Sequence, residues 1–421
     1  MIQPSADRLA LLYRLSQTFN SSLNRDEVLN HVIDEVIAAV RAERGFLMLR
    51  DATGQLQFHV ARGIDQHTID QPTFQVSRSV IKRVAEEGLP LLTSDAQGDA
   101  WLSTQHSVMV LGLRSILCVP LQIKGSPLGV IYVDNRLQSG IFRPDDLDLV
   151  AAIAASAATA IENARLYQVA VDKGRLEREL QAARAVQTSL LPRETPQLAG
   201  WDFAAFWQPA RQVSGDFYDF IPLASVEAPR NELGIVIADV SDKGMPAALF
   251  MALSRSNIRA SVMHSTSAAE AMTRANRLIC ADSPDYMFLT LFYATVRAGS
   301  GEVVYVNAGH NPPYLYRAQE EQPVRLMPTG MLLGITDAAH LAQQAVHLDA
   351  GDCLVMYTDG ITDALNAQGE EYGQERLQYV CAEHRHDTAE QIVAAVHDRI
   401  FEFVGDTLPA DDCTLVVAKR L

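Results

Sequence analysis

The chain has no Cys-x-x-Cys pair: its five cysteines, Cys118, Cys280, Cys353, Cys381 and Cys413, stand singly along the sequence. That argues against a disulfide framework and predicts reduced, buried thiols, as in a cytoplasmic protein. Basic residues are in short supply, with 35 Lys and Arg against 51 Asp and Glu and a formal charge of -16. Such a balance repels duplex nucleic acid and anionic membranes, so neither is expected as a partner, while metal cations can still gather locally. Long apolar runs are missing as well. The opening MIQPSADRLALLYRLSQTF carries charges where a signal peptide needs an unbroken apolar core. The most membrane-like run, LVAAIAASAATAI at 149–161, falls short of the ~20 residues a span requires and is rich in Ala and Ser. It is expected to be a closely packed helix.

What is present is the composition of a folded protein: 48% hydrophobic and 20% charged residues over 421 positions, more than one ordinary core. Three segments are expected, at 1–167, 168–194 and 195–421. In the first, helical patterns are followed by strand-like ones, of which SILCVPLQIKGSPLGVIYVDN is the clearest: two β-rich runs flank Lys124, Gly125, Ser126 and Pro127, a hairpin turn. Pro144, Asp145 and Asp146 then suit the first turn of a helix. Residues 20–167 resemble a GAF domain, a small α/β sensory module with an antiparallel sheet and helices. The resemblance implies either a small-molecule ligand, such as a cyclic nucleotide or tetrapyrrole, or a role in dimerisation. Cys118, His59, His67 and His106 are candidate cofactor contacts or ordinary core and surface residues.

From Leu166, alternate steps of three and four meet Val169, Lys173, Leu176, Leu180, Ala183, Gln187 and Leu190. This is a heptad seam with polar interruptions at Lys173 and Gln187. It predicts a helical linker, ended by Pro192, that pairs as a coiled coil in a homodimer or lies as an amphipathic helix on its own domain.

The chemistry lies further on. VSGDFYDF, residues 213–220, places Asp216 and Asp219 among aromatics behind a Ser-Gly pair. Carboxylates in apolar company need a compensating partner, so this stretch caps a turn or holds a cation. ELGIVIADVSDKGMPAALFMALSR reads as a strand delivering Asp239, a tight turn at Gly244 and a helix starting near Pro246. CLVMY delivers Asp359 in TDGITDAL, and ADDCTLVVAKR puts Asp411 and Asp412 at the mouth of another strand. Each alone is equally a turn or a solvated pair. If Asp216, Asp239, Asp359 and Asp411 converge, an all-oxygen site for hard cations results, Mg²⁺ or Mn²⁺ rather than zinc. Two such ions ~3.5–4 Å apart can activate a water against phosphorus, which points to phosphoester hydrolysis.

Seven stretches in one order carry a second resemblance: ARAVQTSLLP, SGDFYDF, IADVSDKGMPAAL, FLTLFYATV, NAGHNPPYLY, YTDGITDALN and DDCTLVVAK. Over about residues 178–421 the chain resembles the metal-dependent protein serine/threonine phosphatases, in the bacterial branch of the stage II sporulation and stress-response enzymes. The resemblance implies an αββα sandwich. It also implies that Asp239 bridges two metals, that the Val240 carbonyl touches one, and that Asp359 and Asp411 complete the other. Asp216 would bind the first ion directly or through its water. Asp412, where relatives often carry Asn, would stand behind the ligands, and Asp219 and Asp363 would be structural hydrogen-bonders.

Two departures bear on the carry-over. Ser241 and Asp242 stand where eukaryotic relatives have a His that protonates the leaving alcohol. The general acid is thereby unassigned, with His310 of NAGHNPP either a substitute or part of a turn. Asp242 also replaces a Gly common in bacterial relatives. Arg211 is spaced like a phosphate-binding Arg or forms a surface salt bridge. The expected function is a signal-regulated phosphatase of phosphoserine or phosphothreonine, with a STAS-type anti-anti-sigma protein as substrate. The alternatives are a non-catalytic ligand-sensing scaffold and a phosphatase of small phosphoesters.

Overall fold

The structure, a computed structural model, describes residues 6–65, 67–69, 76–99, 101–223, 231–282, 287–320, 322–407 and 409–421. The chain divides into two units, Met1–Leu176 and Glu177–Leu421.

The first unit runs α1 (Ala6–Ser21), α2 (Arg25–Val40), β1 (Arg44–Arg50), β2 (Leu56–Gly63), α3 (Arg78–Glu87), β3 (Leu91–Thr93), α4 (His106–Val110), β4 (Ser115–Ile123) and β5 (Ser126–Asn135). It also takes in the first part of α5 (Pro144–Leu190). Helix α2 starts where the Asn24 side chain accepts from the Asp26 and Glu27 amides, with those two acids in the first turn. The sheet order is β2-β1-β5-β4-β3, antiparallel throughout. β4 and β5 are joined by Lys124 and Gly125, both at positive φ (49° and 83°), the hand a two-residue hairpin turn demands.

Alternation along the strands gives this sheet two apolar faces. Leu117, Val119, Ile131 and Val133 pack with α2 and the Ala-rich start of α5. Ile116, Cys118, Val130 and Tyr132 pack with Val80, Ile81 and Val84 of α3. Cys118 is therefore a core residue, and burial pushes its thiol far up. His59 is exposed on β2, and His67 is hydrogen-bonded to Asp65. The side chain of His106 lies outside the described residues. Arg44 and Asp134, paired across β1 and β5, form a buried two-pronged ion pair (2.8 and 2.5 Å).

Helix α5 runs unbroken for 47 residues, through position 167 where the first two expected segments meet. By length and composition it could cross a membrane, but half of that apolar window is buried inside the protein. Ala154, Ala157, Ala158 and Ile161 supply the first unit's core, so this stretch is a packed helix. Leu166, Val169 and Leu176 of the heptad seam are exposed, whereas Gln187 is buried. Gln187 is thus not a polar seam position facing a second helix: its side chain is consumed within the second unit.

That unit continues with β6 (Trp201–Gln208), β7 (Phe217–Leu223), β8 (Glu232–Val240), α6 (Met245–Val262), α7 (Ala268–Asp282), β9 (Leu289–Arg297), β10 (Glu302–Ala308), β11 (Tyr314–Tyr316) and β12 (Val324–Arg325). It closes with β13 (Gln344–His347), β14 (Cys353–Tyr357), α8 (Asp359–Thr362), α9 (Gly373–Glu383), α10 (Ala389–Val404) and β15 (Cys413–Arg420). Two five-stranded sheets form, β13-β10-β9-β8-β7 and β12-β11-β14-β15-β6. Phe220, Ile235, Ile237 and Phe292 of the first meet Phe203, Leu315, Met356 and Val416 of the second in the central layer. α6 and α7 cover the first sheet, and α9 and α10 the second. The architecture is the expected αββα sandwich.

Candidate metal centre

The acids expected to converge sit at neighbouring strand ends. β7 begins one residue after Asp216, and Phe217 pairs with Ala238, so the antiparallel register carries Asp216 toward Asp239 at the end of β8. In the other sheet, β14 ends at Tyr357, Asp359 opens α8 two residues later, and Asp411 and Asp412 directly precede β15. The two sheets are tied together here by Asp216. Its Oδ2 accepts from Thr358 Oγ1 at 2.7 Å and from Thr414 Oγ1 at 2.8 Å.

Asp412 anchors the loop in front of Asp216. Its Oδ1 accepts from the Ala210 amide (2.7 Å), and its Oδ2 from Ser214 Oγ and the Gly215 amide (both 2.8 Å). Three donors converge on one carboxylate, an arrangement that suits an acceptor-only group. Two glycines permit the close approach. A Cβ on Gly215 would stand 3.2 Å from the Val240 carbonyl oxygen, and one on Gly360 would clash with the Asp412 carbonyl.

Electrostatics record the convergence. Burial first, then repulsion from Asp239 and Asp412, pushes the Asp216 carboxyl well above its ordinary range, against the two threonine hydrogen bonds. Asp239 is pushed up to about 7 by burial and Asp359, partly offset by a hydrogen bond with Asp216, with Asp411 and Asp412 adding repulsion. Asp359 is raised by burial and by Asp411 and Asp363, while Lys243 pulls it down. Lys243 is the local counter-charge: its Nζ lies 2.9 Å from Asp411 Oδ2 and donates to the Ala410 carbonyl.

This donor set fits hard cations in chemistry, being carboxylate oxygen with the Val240 carbonyl and no thiolate or imidazole. Among the described residues, no three His, Cys, Asp or Glu side chains form a cage by themselves. Water would complete the shell, as is usual for Mg²⁺ held by one or two carboxylates.

The other candidates separate. His310 is buried, with Nδ1 2.8 Å from Thr290 Oγ1, and Thr290 pairs with Asp239 across β8 and β9. Burial drives its pKa down to about 3, only partly offset by the Tyr357 carbonyl. A neutral, enclosed imidazole does not serve as a general acid near neutral pH. Arg211 is exposed and forms no ion pair among the described residues. Asp242 is exposed at φ 77° in the turn after β8, a conformation that favours Gly, and its Oδ1 accepts from the Lys243 amide. Asp219 is a buried anchor for Arg255 and Arg259 (3.0 and 2.7 Å), and Asp363 accepts from Thr362 Oγ1.

Sequence reasoning missed Thr358, Thr414, Ser214, Lys243 and Gln187. The first four lie inside or beside stretches already singled out, but single hydroxyls and one lysine carry no pattern. Gln187 gave the opposite signal. Its Nε2 donates to the Ser214 carbonyl (2.6 Å), and its Oε1 accepts from the Ser214 amide (3.0 Å).

Two antiparallel sheets between helix layers, with carboxylates gathered at one end, give this unit a PP2C-like fold, and its similarity to a phosphoserine phosphatase places it among the metal-dependent protein phosphatases. Comparison with known proteins agrees. The Stage II sporulation protein E model matches residues 229–421, and the GAF domain model matches residues 24–161. Phosphoserine phosphatase RsbU of Bacillus subtilis is 30% identical over 245 residues, spanning 58% of this chain and 71% of that protein. Protein IcfG of Synechocystis is also 30% identical, over 269 residues, but only 41% of its length is covered. The SiaA PP2C domain of Pseudomonas aeruginosa shares the fold, with a TM-score of 0.53 at 19% identity over 60% of this chain and 99% of that domain. The chain belongs to the stage II sporulation protein E (SpoIIE) family, with a GAF domain ahead of its phosphatase domain, and is a signal-regulated serine/threonine phosphatase.

Proposed function

We propose that this phosphatase hydrolyses phosphoserine or phosphothreonine on a STAS-type partner-switching protein, using two Mn²⁺ or Mg²⁺ ions. The observation that carries the site is the convergence of acids from both sheets, with Asp216 tied to Thr358 and Thr414 and Asp412 tied to the Ser214 loop, where burial and neighbouring carboxylates raise Asp216, Asp239 and Asp359 and so call for positive charge. Similarity to RsbU, a phosphoserine phosphatase, supports the substrate class.

In this reading Asp239, the Val240 carbonyl, Asp359 and Asp411 would hold the ions. Asp216, fixed by Thr358 and Thr414, would support them directly or through water. Bound there, such ions would supply a water of lowered pKa for attack on phosphorus. Asp412 keeps the loop carrying Ser214 and Gly215 closed behind the carboxylates. Lys243 offsets charge at Asp411, and Arg211, exposed on that loop, is available to the phosphate. His310 is enclosed and does not fill the place of the general acid, which stays unassigned.

Regulation would pass from a GAF ligand or GAF packing along α5, whose last turns hold Ser214 through Gln187. A homodimer in the cytoplasm completes the proposal.

The test is phosphate release from a phosphoserine peptide with Mn²⁺. Chelation should abolish it. Asp239→Asn and Asp359→Asn, each folded by circular dichroism, should lower kcat by more than about 100-fold, beyond what loss of an outer partner costs. Wild-type turnover in both variants would remove the site.

A further inference from the structure

An apolar cavity of about 130 Å³ lies in the second unit, between the end of α10, α8 and β6. Phe206, Leu365, Ile400 and Phe401 line it, and so do Gly360 and Asp411 of the candidate metal centre. Leu365 and Phe401 are 36% and 42% exposed, so large apolar side chains reach solvent here. The ring of His397 braces two of the walls, 4.8 Å from the Phe206 ring and 4.3 Å from that of Phe401.

We infer that this cavity receives an apolar side chain of the phosphoprotein substrate, from a residue within about two positions of the phosphorylated one. The inference rests on the phosphatase reading and adds a specificity element to the same site. Three observations carry it. Asp411 belongs both to the carboxylate cluster and to the cavity wall, so a chain segment presenting a phosphoester to the cluster passes the cavity. Successive Cα atoms are ~3.8 Å apart, which puts a side chain one or two residues away within reach. The size is right: dry cavities of ~150 Å³ lined by Leu, Ile and Phe hold a benzene-sized group.

The experiment uses the full chain with Mn²⁺ and three substrates. Two are phosphoserine peptides of one length, carrying Leu or Asp at the positions flanking phosphoserine, and the third is p-nitrophenyl phosphate. The wild type should favour the Leu peptide over the Asp peptide by about tenfold or more in kcat/KM, the scale on which apolar pockets discriminate. In Ala364→Phe, which fills the cavity from another residue of its lining, and Phe401→Glu, which charges its exposed wall, that ratio should fall toward one. Each ratio is measured within one protein, so loss of folded or metal-loaded enzyme cancels. No preference in the wild type, as expected if a small-molecule effector occupies the cavity, would overturn the inference. So would an unchanged ratio in both variants, or an equal loss on all three substrates. Absence of turnover on all three substrates in the wild type would instead overturn the phosphatase reading, and the role of the cavity with it.

Discussion

His310 shows how burial decides what a titratable residue can do. In sequence it stands in NAGHNPP as a candidate proton donor, while in the structure it is a neutral ring between Thr290 and the Tyr357 carbonyl. Its pKa falls from an ordinary 6.5 to about 3, so the folded state favours the neutral form. The resulting stability is present above pH 6.5 and is lost as pH falls toward 3. Between pH 7.5 and 4.5 the wild type should therefore lose about 2–3 kcal/mol more stability than His310→Gln, measured by denaturant unfolding at both pH values. Equal losses would show that the imidazole protonates freely. Asp242 is the converse case, an exposed residue at φ 77°, a conformation that favours Gly.

At the scale of elements, the end of α5 is held by the second unit. Gln187 fills two hydrogen-bonding groups of Ser214, and Ser214 in turn bonds Asp412 and the Asp216 backbone. Gln187→Leu therefore leaves a buried amide and carbonyl unpaired, at a cost of about 1–3 kcal/mol for each. Expected outcomes are a lower melting temperature, faster hydrogen exchange at the Ser214 and Gly215 amides, and reduced phosphatase turnover. Lys173→Leu, at an exposed position of the same helix, should leave the exchange of those amides unchanged. A Gln187→Leu protein with wild-type melting and exchange would show that α5 does not hold the loop.

For the whole molecule, a continuous helix links a sensory domain to a catalytic one, and its middle exposes Leu166, Val169 and Leu176 along one stripe. Residues spaced at three and seven along a helix share a face, and large exposed apolar stripes mark interfaces. Light scattering on the full chain at micromolar concentration should give twice the chain mass. Val169→Glu with Leu176→Glu should give a monomer and abolish any response to a GAF ligand found by screening. A monomeric wild type would leave α5 as a rod within one molecule.

Local pattern determined much of this protein. The β4–β5 hairpin, the start of α5 at Pro144 and the strand ends carrying Asp239, Asp359 and Asp411 follow from apolar periodicity and turn residues, which act over a few neighbours. The phosphatase class was legible only through the family resemblance that seven stretches carry by their order. Tertiary structure alone decided the rest. Thr358 and Thr414 reach Asp216 across 142 and 198 residues of chain, a closeness created only when two sheets pack. Gln187 looked like a seam position because a heptad records spacing and not which surface lies opposite, and the surface opposite proved to be the Ser214 loop. A histidine's burial, a lysine's carboxylate and a helix's partner are properties of the space around a side chain, which packing sets after the local elements have formed.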